Sequence, residues 1–491
     1  MPQLSQLSVL GLTLGLVATS FGQIPDPIID GTLPILAKPS QDFAFSTKSP
    51  YNIPDVGNVV NYGNEPKPRT HKRALEGNCQ AVQIQLVARH GTRNPTAGDL
   101  RKFAALQEKL KSYVPSDPKL AFLNNFQLPC NVSMAGLLTT QGAQDHIDLA
   151  QRIKSNYQAV IADPKTLQWA STNVSRSIAS GESFIRGMLE GPNVDAAITA
   201  LRAAIVPKDR DADLRPFEAC KTYVDAKASQ GTQPQPDEQF QAARYPAIIQ
   251  RLANDYKLNG LDAKDISKLF KLCSFENTLQ GKTDGFCSLF KPDEFIVADF
   301  SEDLEFNFVK GYALPVNEEL ACSLVTTISE NMDKIVSNAP DAPKGVFKFA
   351  HAETIAPIIT TLGLFRADPP LSATFTDEQI LARQYNGKIF SPFAGNVMFE
   401  LSKCDKGYNV RVLSDERPVV VPGCPSENCP LDTFKEALKG KIGCDFDARV
   451  CKNPSPTIGG SATIKAGGPG VATSLQPAQP ATGLDEDDED E

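Results

Sequence analysis

Two distant segments of the chain each pass from a short apolar strand into a helix, and this pattern constrains the fold most. Residues 82–89 alternate as a strand does, and residues 99–113 carry leucine and phenylalanine at helical spacing. Residues 345–350 and 353–362 repeat the arrangement, whereas residues 197–289 show only helical stretches. Strand-to-helix units on both sides of a helical block predict an α/β fold that carries an inserted, mostly helical smaller domain.

Shorter patterns extend the predicted sheet. Residues 167–171 are predicted as a further strand, with a helix after it at 175–190. Residues 397–402 and 409–413 have the alternation of two strands joined by a short polar stretch, which predicts a hairpin.

The two ends of the chain differ from this globular part. The apolar run at residues 9–18 is too short to span a bilayer and precedes small residues, which favours a cleaved signal peptide over a buried N-terminal helix. Beyond Cys451 the composition is typical of a disordered tail. The predicted boundaries are 1–22 for the signal peptide, 23–78 for an extended N-terminal arm, 79–196 and 300–451 for the α/β domain, 197–299 for the helical domain and 452–491 for the acidic tail.

The net charge depends strongly on this tail. The 491 residues hold 58 Asp and Glu against 49 Lys and Arg, a net charge of −9, but the seven residues 485–491 are all acidic. Without them the charge is −2. Because phosphate backbones are bound by an excess of Lys and Arg, we expect no nucleic-acid partner. No segment approaches the length of a membrane helix, so we expect no membrane partner. The oligomeric state is left open.

Cysteine usage indicates an oxidising compartment. Eleven cysteines are present, and in a secreted chain most would pair, with at least one left over. Sequons at Asn131 and Asn173 are candidate glycosylation sites. Together with the leader, these features predict a secreted, extracellular protein. Only four histidines and no C-x-x-C pair are present, so we expect no metal site and no cofactor.

The segment directly after the first strand carries the clearest chemistry. His90 follows this strand, and Arg89 and Arg93 flank it. Ligand sites in open α/β sheets lie at the carboxyl ends of strands, and guanidinium groups present a planar fork of donors that suits phosphate. His90 is therefore a candidate nucleophile that accepts phosphate. The alternative is a histidine satisfied by hydrogen bonds at a strand end, and for an isolated histidine that alternative is the better one.

Two further strand-to-helix junctions add to this cluster. His351 and Glu353 follow the strand at 345–350, where a helix N-terminus favours an anion. A carboxylic acid beside bound phosphate holds its proton more tightly, so Glu353 is suited to protonate a leaving alcohol. Arg176 opens the helix after the strand at 167–171. Taken alone, Glu353 is better interpreted as a first-turn acid that complements the helix dipole, and Arg176 is equally well interpreted as a surface arginine.

These residues resemble the signatures of a known family. Residues 89–95 match the R-H-G-x-R-x-P signature of the histidine acid phosphatases. Residues 351–353 resemble the H-A-E element of the multiple inositol-polyphosphate phosphatase branch, whereas fungal-type phytases have His-Asp there. The resemblance extends from about Cys79 to Cys444, with a weaker match at 286–290. It implies an α/β, mixed-sheet, phosphoglycerate-mutase-like large domain with the helical domain inserted.

The resemblance also implies a role for each residue. His90 would attack phosphorus and become a phosphohistidine, and Glu353 would protonate the leaving oxygen. Ala352 stands where phytases have aspartate, which places the acid role on Glu353. Asn173 lies close to the site, so we expect it to be unmodified or to point away. The phosphate would be held by Arg89, Arg93, Arg176 and His351.

Disulfide partners are likewise implied by the resemblance. The implied pairs are Cys79 with Cys404, Cys273 with Cys287, Cys424 with Cys429 and, more weakly, Cys220 with Cys444. Cys130, Cys322 and Cys451 are left without an assigned partner.

Three functions compete at this point. The first is a secreted phosphatase whose small-molecule substrates are phosphomonoesters of inositol polyphosphates, phytate included. The second is a broad-specificity secreted acid phosphatase, since the signature is shared. The third is a non-catalytic phosphate-binding relative, which the intact set of motif residues argues against. A mutase is disfavoured because its R-H-G-E pattern differs at Thr92.

Overall fold

A mixed β-sheet forms the centre of the fold in the computed structural model, which describes residues 45–51, 78–229 and 234–453. The strands run in the order β2-β3-β1-β4-β5-β6, and β7 pairs with β5. β1, β2 and β3 are parallel to one another, whereas β4 joins β1 antiparallel. The strands are β1 (Gln80–Arg89), β2 (Leu167–Ser171), β3 (Gly345–Ala350), β4 (Asn396–Cys404), β5 (Gly407–Ser414), β6 (Arg417–Val419) and β7 (Cys429–Pro430).

Helices connect the strands and cover the sheet. Those in the described residues are α1 (Ala97–Leu110), α2 (Thr140–Asn156), α3 (Ser175–Met188), α4 (Pro192–Ala203), α5 (Pro216–Ala219), α6 (Lys221–Ser229), α7 (Pro236–Tyr256), α8 (Ala263–Gln280), α9 (Pro292–Lys310), α10 (Cys322–Val336), α11 (Ala352–Thr361), α12 (Asp377–Ala382), α13 (Gly387–Phe390) and α14 (Leu431–Ala437). The mixed-sheet α/β class is confirmed, and β4 and β5 form the predicted hairpin.

Two apolar cores flank the sheet because successive side chains of β1 point to opposite faces. Ile84, Leu86 and Ala88 belong to one core, which α2, α3 and α4 cover. Val87 belongs to the other, to which α10, α11 and α14 contribute. β3 is buried throughout, as a strand covered on both faces must be. Helices on both faces leave the carboxyl ends of β1, β2 and β3 at one edge of the sheet.

A third core lies among helices. α7, α8 and α9 bury apolar side chains together with α1 and α12. α9 continues past residue 299, and α1 and α12 lie outside residues 197–299. The predicted limits of the helical domain stay a prediction, and the helical core itself draws on more of the chain than those limits contain.

Part of the predicted N-terminal arm packs into this fold. We call residues 45–51 the N-terminal segment. Phe45 lies in the helical core, and the backbone N–H of Ser46 donates to Asp299 of α9 at 2.7 Å. The hydroxyl of Tyr51 donates to a glutamate at the β5–β6 turn at 2.7 Å. The N-terminal segment therefore bridges the helical core and the sheet.

Several sequence predictions fall outside the described residues. They are the signal peptide at 1–22, most of the arm at 23–78 and the tail from residue 454 onward. Among the helices that the structure describes, none combines the length and apolar character that crossing a membrane requires.

Five disulfides link the described cysteines, and one implied pair is wrong. Cys220 bonds to Cys451 rather than to Cys444, because the chain after α14 returns Cys451 to the N-terminal end of α6. Cys130 is not disulfide-bonded. The pairs are Cys79–Cys404, Cys220–Cys451, Cys273–Cys287, Cys322–Cys444 and Cys424–Cys429.

Candidate active site

The carboxyl ends of three parallel strands meet at one edge of the sheet and bring the predicted site residues together. Arg89 of β1 lies opposite Ala350 of β3, and the N–H of His90 donates to the carbonyl of Ala350 at 2.9 Å. The rings of His90 and His351 are therefore neighbours, with centroids 5.7 Å apart. β2 ends beside β3, so the first turn of α3 reaches the same edge.

The hydrogen bonding of His90 determines which ring nitrogen carries the proton. Its Nδ1 lies 2.9 Å from the carbonyl oxygen of Gly91, and a carbonyl can only accept a hydrogen bond. Nδ1 therefore bears the proton, and the lone pair of the neutral ring is on Nε2. The side chain is fully buried. A neutral imidazole with an oriented lone pair is the form that a nucleophilic histidine requires.

The backbone around His90 packs directly against α2, and glycine makes this approach possible. A Cβ on Gly91 would lie 2.2 Å from the carbonyl oxygen of Gly142, and a Cβ on Gly142 would lie 2.2 Å from the carbonyl oxygen of Thr92. That carbonyl also accepts from the backbone N–H of Thr139 at 2.9 Å and from its hydroxyl at 2.8 Å. The N-terminal turn of α2 thus holds the loop that carries the nucleophile.

Two polar side chains of α2, the buried His146 and the partly buried Asp145, complete this contact. Nε2 of His146 lies 3.1 Å from the carbonyl oxygen of Arg89, to which it must donate. Burial lowers the pKa of His146 to about 4. The hydroxyl of Thr92 donates to Asp145 at 3.1 Å, and burial raises the pKa of Asp145 to about 6. The sequence alone does not indicate a role for His146 or Asp145, because more than 50 residues separate them from His90.

The two arginines that flank His90 are both buried. The guanidinium of Arg89 donates to the carbonyl of Ser391 at 2.9 Å and to the carbonyl of Thr47 in the N-terminal segment. It also lies over the ring of Phe393, with 4.7 Å between Cζ and the ring centroid. Arg93 donates to the neighbouring carbonyl of residue 94 at 3.0 Å. Both guanidinium groups line the cleft described below, where their positive charge stabilises a bound anion.

His351 is held by two side chains from other elements. Its Nε2 lies 2.9 Å from Nη1 of Arg215 and 3.0 Å from the hydroxyl of Thr172. A guanidinium can only donate, so Nε2 of His351 accepts from it and the neutral ring carries its proton on Nδ1. Arg215 also pairs with Glu218. Sequence reasoning missed Arg215, which precedes a four-residue helix and belongs to no motif.

Arg176 lies in the first turn of α3 and is buried at the same edge of the sheet. Its carbonyl accepts from the hydroxyl of Ser180 at 2.8 Å, and the oxygen of that hydroxyl accepts from the N–H of Gly91 at 3.1 Å. The surface-arginine interpretation is therefore wrong for Arg176.

Glu353 lies in the first turn of α11 and pairs with Lys310 at the C-terminal end of α9. Lys310 contacts Oε1 of the carboxylate. Among the described residues, Oε2 has no hydrogen-bond partner. The first turn of α11 therefore places the carboxyl group of Glu353 in the wall of the cleft described below. Lys310 was not foreseen, because it lies 43 residues from Glu353 in sequence.

A cleft of about 750 Å³, part of it open to solvent, borders this cluster. The charged residues that line it are five cations and three carboxylates. The N-terminal segment, β1, α6, α9 and α11 all contribute to its wall. The lining residues are Thr47, Lys48, Arg89, Arg93, Lys227, Glu302, Glu305, Phe306, Val309, Lys310, Ala352 and Glu353.

The fold and this cluster agree with the sequence profile of one family. Residues 82–415, which are 334 of the 491 residues, match the histidine phosphatase superfamily (branch 2). The chain belongs to this family. As a histidine phosphatase of this branch, it is a phosphoric monoester hydrolase.

Individual relatives of this histidine phosphatase fall into three kinds. It is 28% identical over 401 residues to multiple inositol polyphosphate phosphatase 1 of Gallus gallus, covering 79% of this chain and 88% of the relative. It is 27% identical over 390 residues to a thiamine-repressible acid phosphatase of Schizosaccharomyces pombe, covering 75% and 82%. The crystal structure of the phytase from D. castellii superposes with a TM-score of 0.65 at 20% identity, covering 77% and 83%, and shows the same fold.

Both candidate glycosylation sites of the phosphatase are exposed. Asn131 lies at the surface beside a short helical turn. Asn173 is exposed, whereas its neighbour Thr172, which contacts His351, is buried. Modification at either asparagine stays a prediction.

Proposed function

We propose that this phosphatase is secreted and hydrolyses phosphomonoesters of inositol polyphosphates, phytate included, through a phosphohistidine at His90. The observation that carries the proposal is the hydrogen bond from Nδ1 of His90 to the carbonyl of Gly91, which leaves the lone pair on Nε2 among buried arginines. The expectation that Glu353 is the proton donor is supported by its position in the wall of the cleft.

In the first step, Nε2 of His90 forms a P–N bond while the P–O bond to the inositol oxygen breaks. Glu353 transfers its proton to that oxygen, so the leaving group departs as an alcohol. Arg89, Arg93, Arg176 and His351 hold the transferring phosphoryl group and stabilise the charge on its equatorial oxygens.

In the second step, a water molecule attacks the phosphohistidine. Its oxygen forms the new P–O bond, its proton passes to the carboxylate of Glu353, and the P–N bond breaks. This step releases inorganic phosphate and restores both the lone pair of His90 and the proton of Glu353. Splitting the reaction into two displacements lowers the barrier of each.

The proposal that the substrates carry several phosphate groups is supported by cations beyond those that hold the reacting phosphate. Lys48, Lys227 and Lys310 also line the cleft, and they come from three different elements. A ring that carries several phosphates can contact more than one of them at once. The similarity to a multiple inositol polyphosphate phosphatase points the same way.

A broad-specificity acid phosphatase is the second candidate. It is supported by the similarity to an acid phosphatase and by Glu302 and Glu305, whose carboxylates reduce the positive field of the cleft. Hydrolysis of phytate and of 4-nitrophenyl phosphate at acid pH separates the two: a higher kcat/KM for phytate supports the first candidate.

Secretion is supported by the five disulfides, which persist in oxidising compartments. The predicted leader at 1–22 supplies the signal. Appearance of the mature chain in the culture medium, with its N-terminus near residue 23, is the expected result on expression in a eukaryotic host.

The mechanism is tested by trapping the intermediate. The protein is incubated with phosphate-labelled phytate and quenched in alkali, and the peptides are examined for acid-labile phosphate on His90. The His90→Ala variant should carry no label and should release phosphate at least about 10³-fold more slowly. Wild-type release by His90→Ala would overturn the proposal.

A further inference from the structure

The wall of the cleft that faces the N-terminal segment is one side of α9. Glu302, Glu305, Phe306, Val309 and Lys310 all line the cleft. Their spacing of three, four, seven and eight residues from Glu302 places them on one face of the helix. This face therefore presents two carboxylates at one end and an ammonium group at the other, and it supplies two of the three carboxylates that line the cleft.

Glu302 pairs with Lys48, which the N-terminal segment brings into the cleft. Nζ of Lys48 lies 3.4 Å from Oε2 of Glu302, and the side chains are 11% and 30% exposed. The segment is fixed next to this pair, because the hydroxyl of Ser46 donates to Asp303 of α9 at 2.8 Å. The N-terminal segment therefore holds the ammonium group of Lys48 in the cleft, and Glu302 is the carboxylate that pairs with this ammonium group.

An ionised Glu302 and a phosphate group compete for Lys48. The carboxylate neutralises Lys48 and repels a phosphate placed at this wall, but it accepts a hydrogen bond from a hydroxyl group. A neutral Glu302 leaves the ammonium of Lys48 to a phosphate. The charge of Glu302 thus decides whether a phosphate or a hydroxyl is favoured beside α9.

We propose that Glu302, acting on Lys48, is the residue that sets how many phosphate groups the preferred substrate carries, and that acid shifts this preference toward the more highly phosphorylated esters. The inference rests on the proposed function, since it concerns substrates with more than one phosphate.

The burial of Lys48 and Glu302 agrees with a substrate preference that depends on pH. Burial raises the pKa of Glu302 and lowers the pKa of Lys48, so both side chains hold their charges less firmly than in water. As the pH falls, Glu302 therefore takes up its proton at a higher pH than a glutamate in water does. The charged or titratable groups around Glu302 are Lys48 of the N-terminal segment, Lys271 of α8, Tyr245 of α7, and Asp299 and Glu305 of α9 itself.

The experiment compares wild type with Glu302→Gln, which removes the charge and keeps the size of the side chain. The measured quantity is the ratio of kcat/KM for phytate to kcat/KM for 4-nitrophenyl phosphate, near pH 6.5 and near pH 4.5. Near the higher pH the ratio should rise about fivefold in the variant, and near the lower pH much less. Asp293→Asn is the matched control. It removes a charge from the exposed first turn of α9, about 14 Å along the helix, and should leave the ratio at the wild-type value.

A second pair of variants tests the part played by Lys48. If Glu302 acts by pairing with Lys48, the gain in the ratio from Glu302→Gln should fall below about twofold when Lys48→Met is also present. An unchanged ratio in Glu302→Gln, or an equal gain with and without Lys48, overturns the inference. If wild type hydrolyses 4-nitrophenyl phosphate but not phytate, the proposed function itself fails, and the two failures are thereby distinguished.

Discussion

At the level of single residues, His90 and His146 differ in which ring nitrogen carries the proton. His90 donates from Nδ1 to the carbonyl of Gly91, so its lone pair is on Nε2. His146 donates from Nε2 to the carbonyl of Arg89 and therefore supports the backbone that precedes the nucleophile. The two imidazoles thus have different tasks because each faces a different carbonyl.

The charge state of His146 makes the stability of the protein depend on pH. The unfolded chain binds a proton at this histidine below about pH 6.5, whereas burial lowers the pKa of His146 in the folded protein to about 4. Between these values acidification favours the unfolded state, by at most about 3 kcal/mol. Between pH 7 and pH 4, the Tm of His146→Phe should therefore fall less steeply with decreasing pH than the Tm of wild type. Parallel curves for the two proteins would contradict the assignment.

The proton donor is tested by the leaving group. In Glu353→Gln, kcat/KM for glycerol 2-phosphate, which covers only the steps up to formation of the phosphohistidine, should fall by about 10²–10⁴, because its alkoxide must be protonated as it leaves. 4-Nitrophenolate is stable without a proton, so kcat/KM for 4-nitrophenyl phosphate should fall much less. Glu330→Gln, at an exposed position of α10, is the control. Equal losses for both substrates would show that Glu353 has a different role.

At the level of elements, α2 determines the shape of the loop that carries His90. Its first turn contacts Thr92 through Thr139 and Gly142, and its next turn supplies His146. The strand-to-helix pattern after β1 could be predicted from sequence, but this contact could not, because α2 is separated from the loop by about 50 residues with no shared motif.

The close approach of α2 gives a sharp test. In Gly142→Ala, the new Cβ would meet the carbonyl oxygen of Thr92 at 2.2 Å, so the loop or the helix must shift. We expect kcat to fall at least about tenfold, since misplacement of a reacting group by about 1 Å is costly. Gln144→Ala, on the exposed side of the same helix, should keep wild-type kcat. Wild-type kcat in Gly142→Ala would show that the loop tolerates the shift.

At the level of the whole molecule, the site depends on parts of the chain that only the disulfide framework and the N-terminal segment bring together. Cys220–Cys451 ties the start of α6 to the end of the described chain. The short stretch around it carries Arg215, which contacts His351, and Lys227, which lines the cleft. Loss of this bond should therefore affect catalysis as well as stability.

Replacing Cys220 and Cys451 together by serine tests this link. The free energy of unfolding should fall by about 2–4 kcal/mol, and kcat/KM for phytate should fall with it. The control is the double serine variant of Cys424 and Cys429. The disulfide that this variant removes has a sequence separation of only 5. It should leave kcat/KM close to wild type. Peptide mapping without reduction should recover Cys220 linked to Cys451, and a link to Cys444 would contradict the structure.

The sequence by itself determined the fold class, the bounds of β2 and β3, and a cluster of six residues at strand ends. Those features are local: alternation, helical spacing and a motif directly after a strand need no knowledge of distant residues. Only the tertiary structure decided that Cys220 bonds to Cys451 and that Lys48, Arg215, Glu302 and Lys310 reach the site. Their positions follow from the packing of helices and of the N-terminal segment, which depends on the shapes of surfaces far apart in the chain.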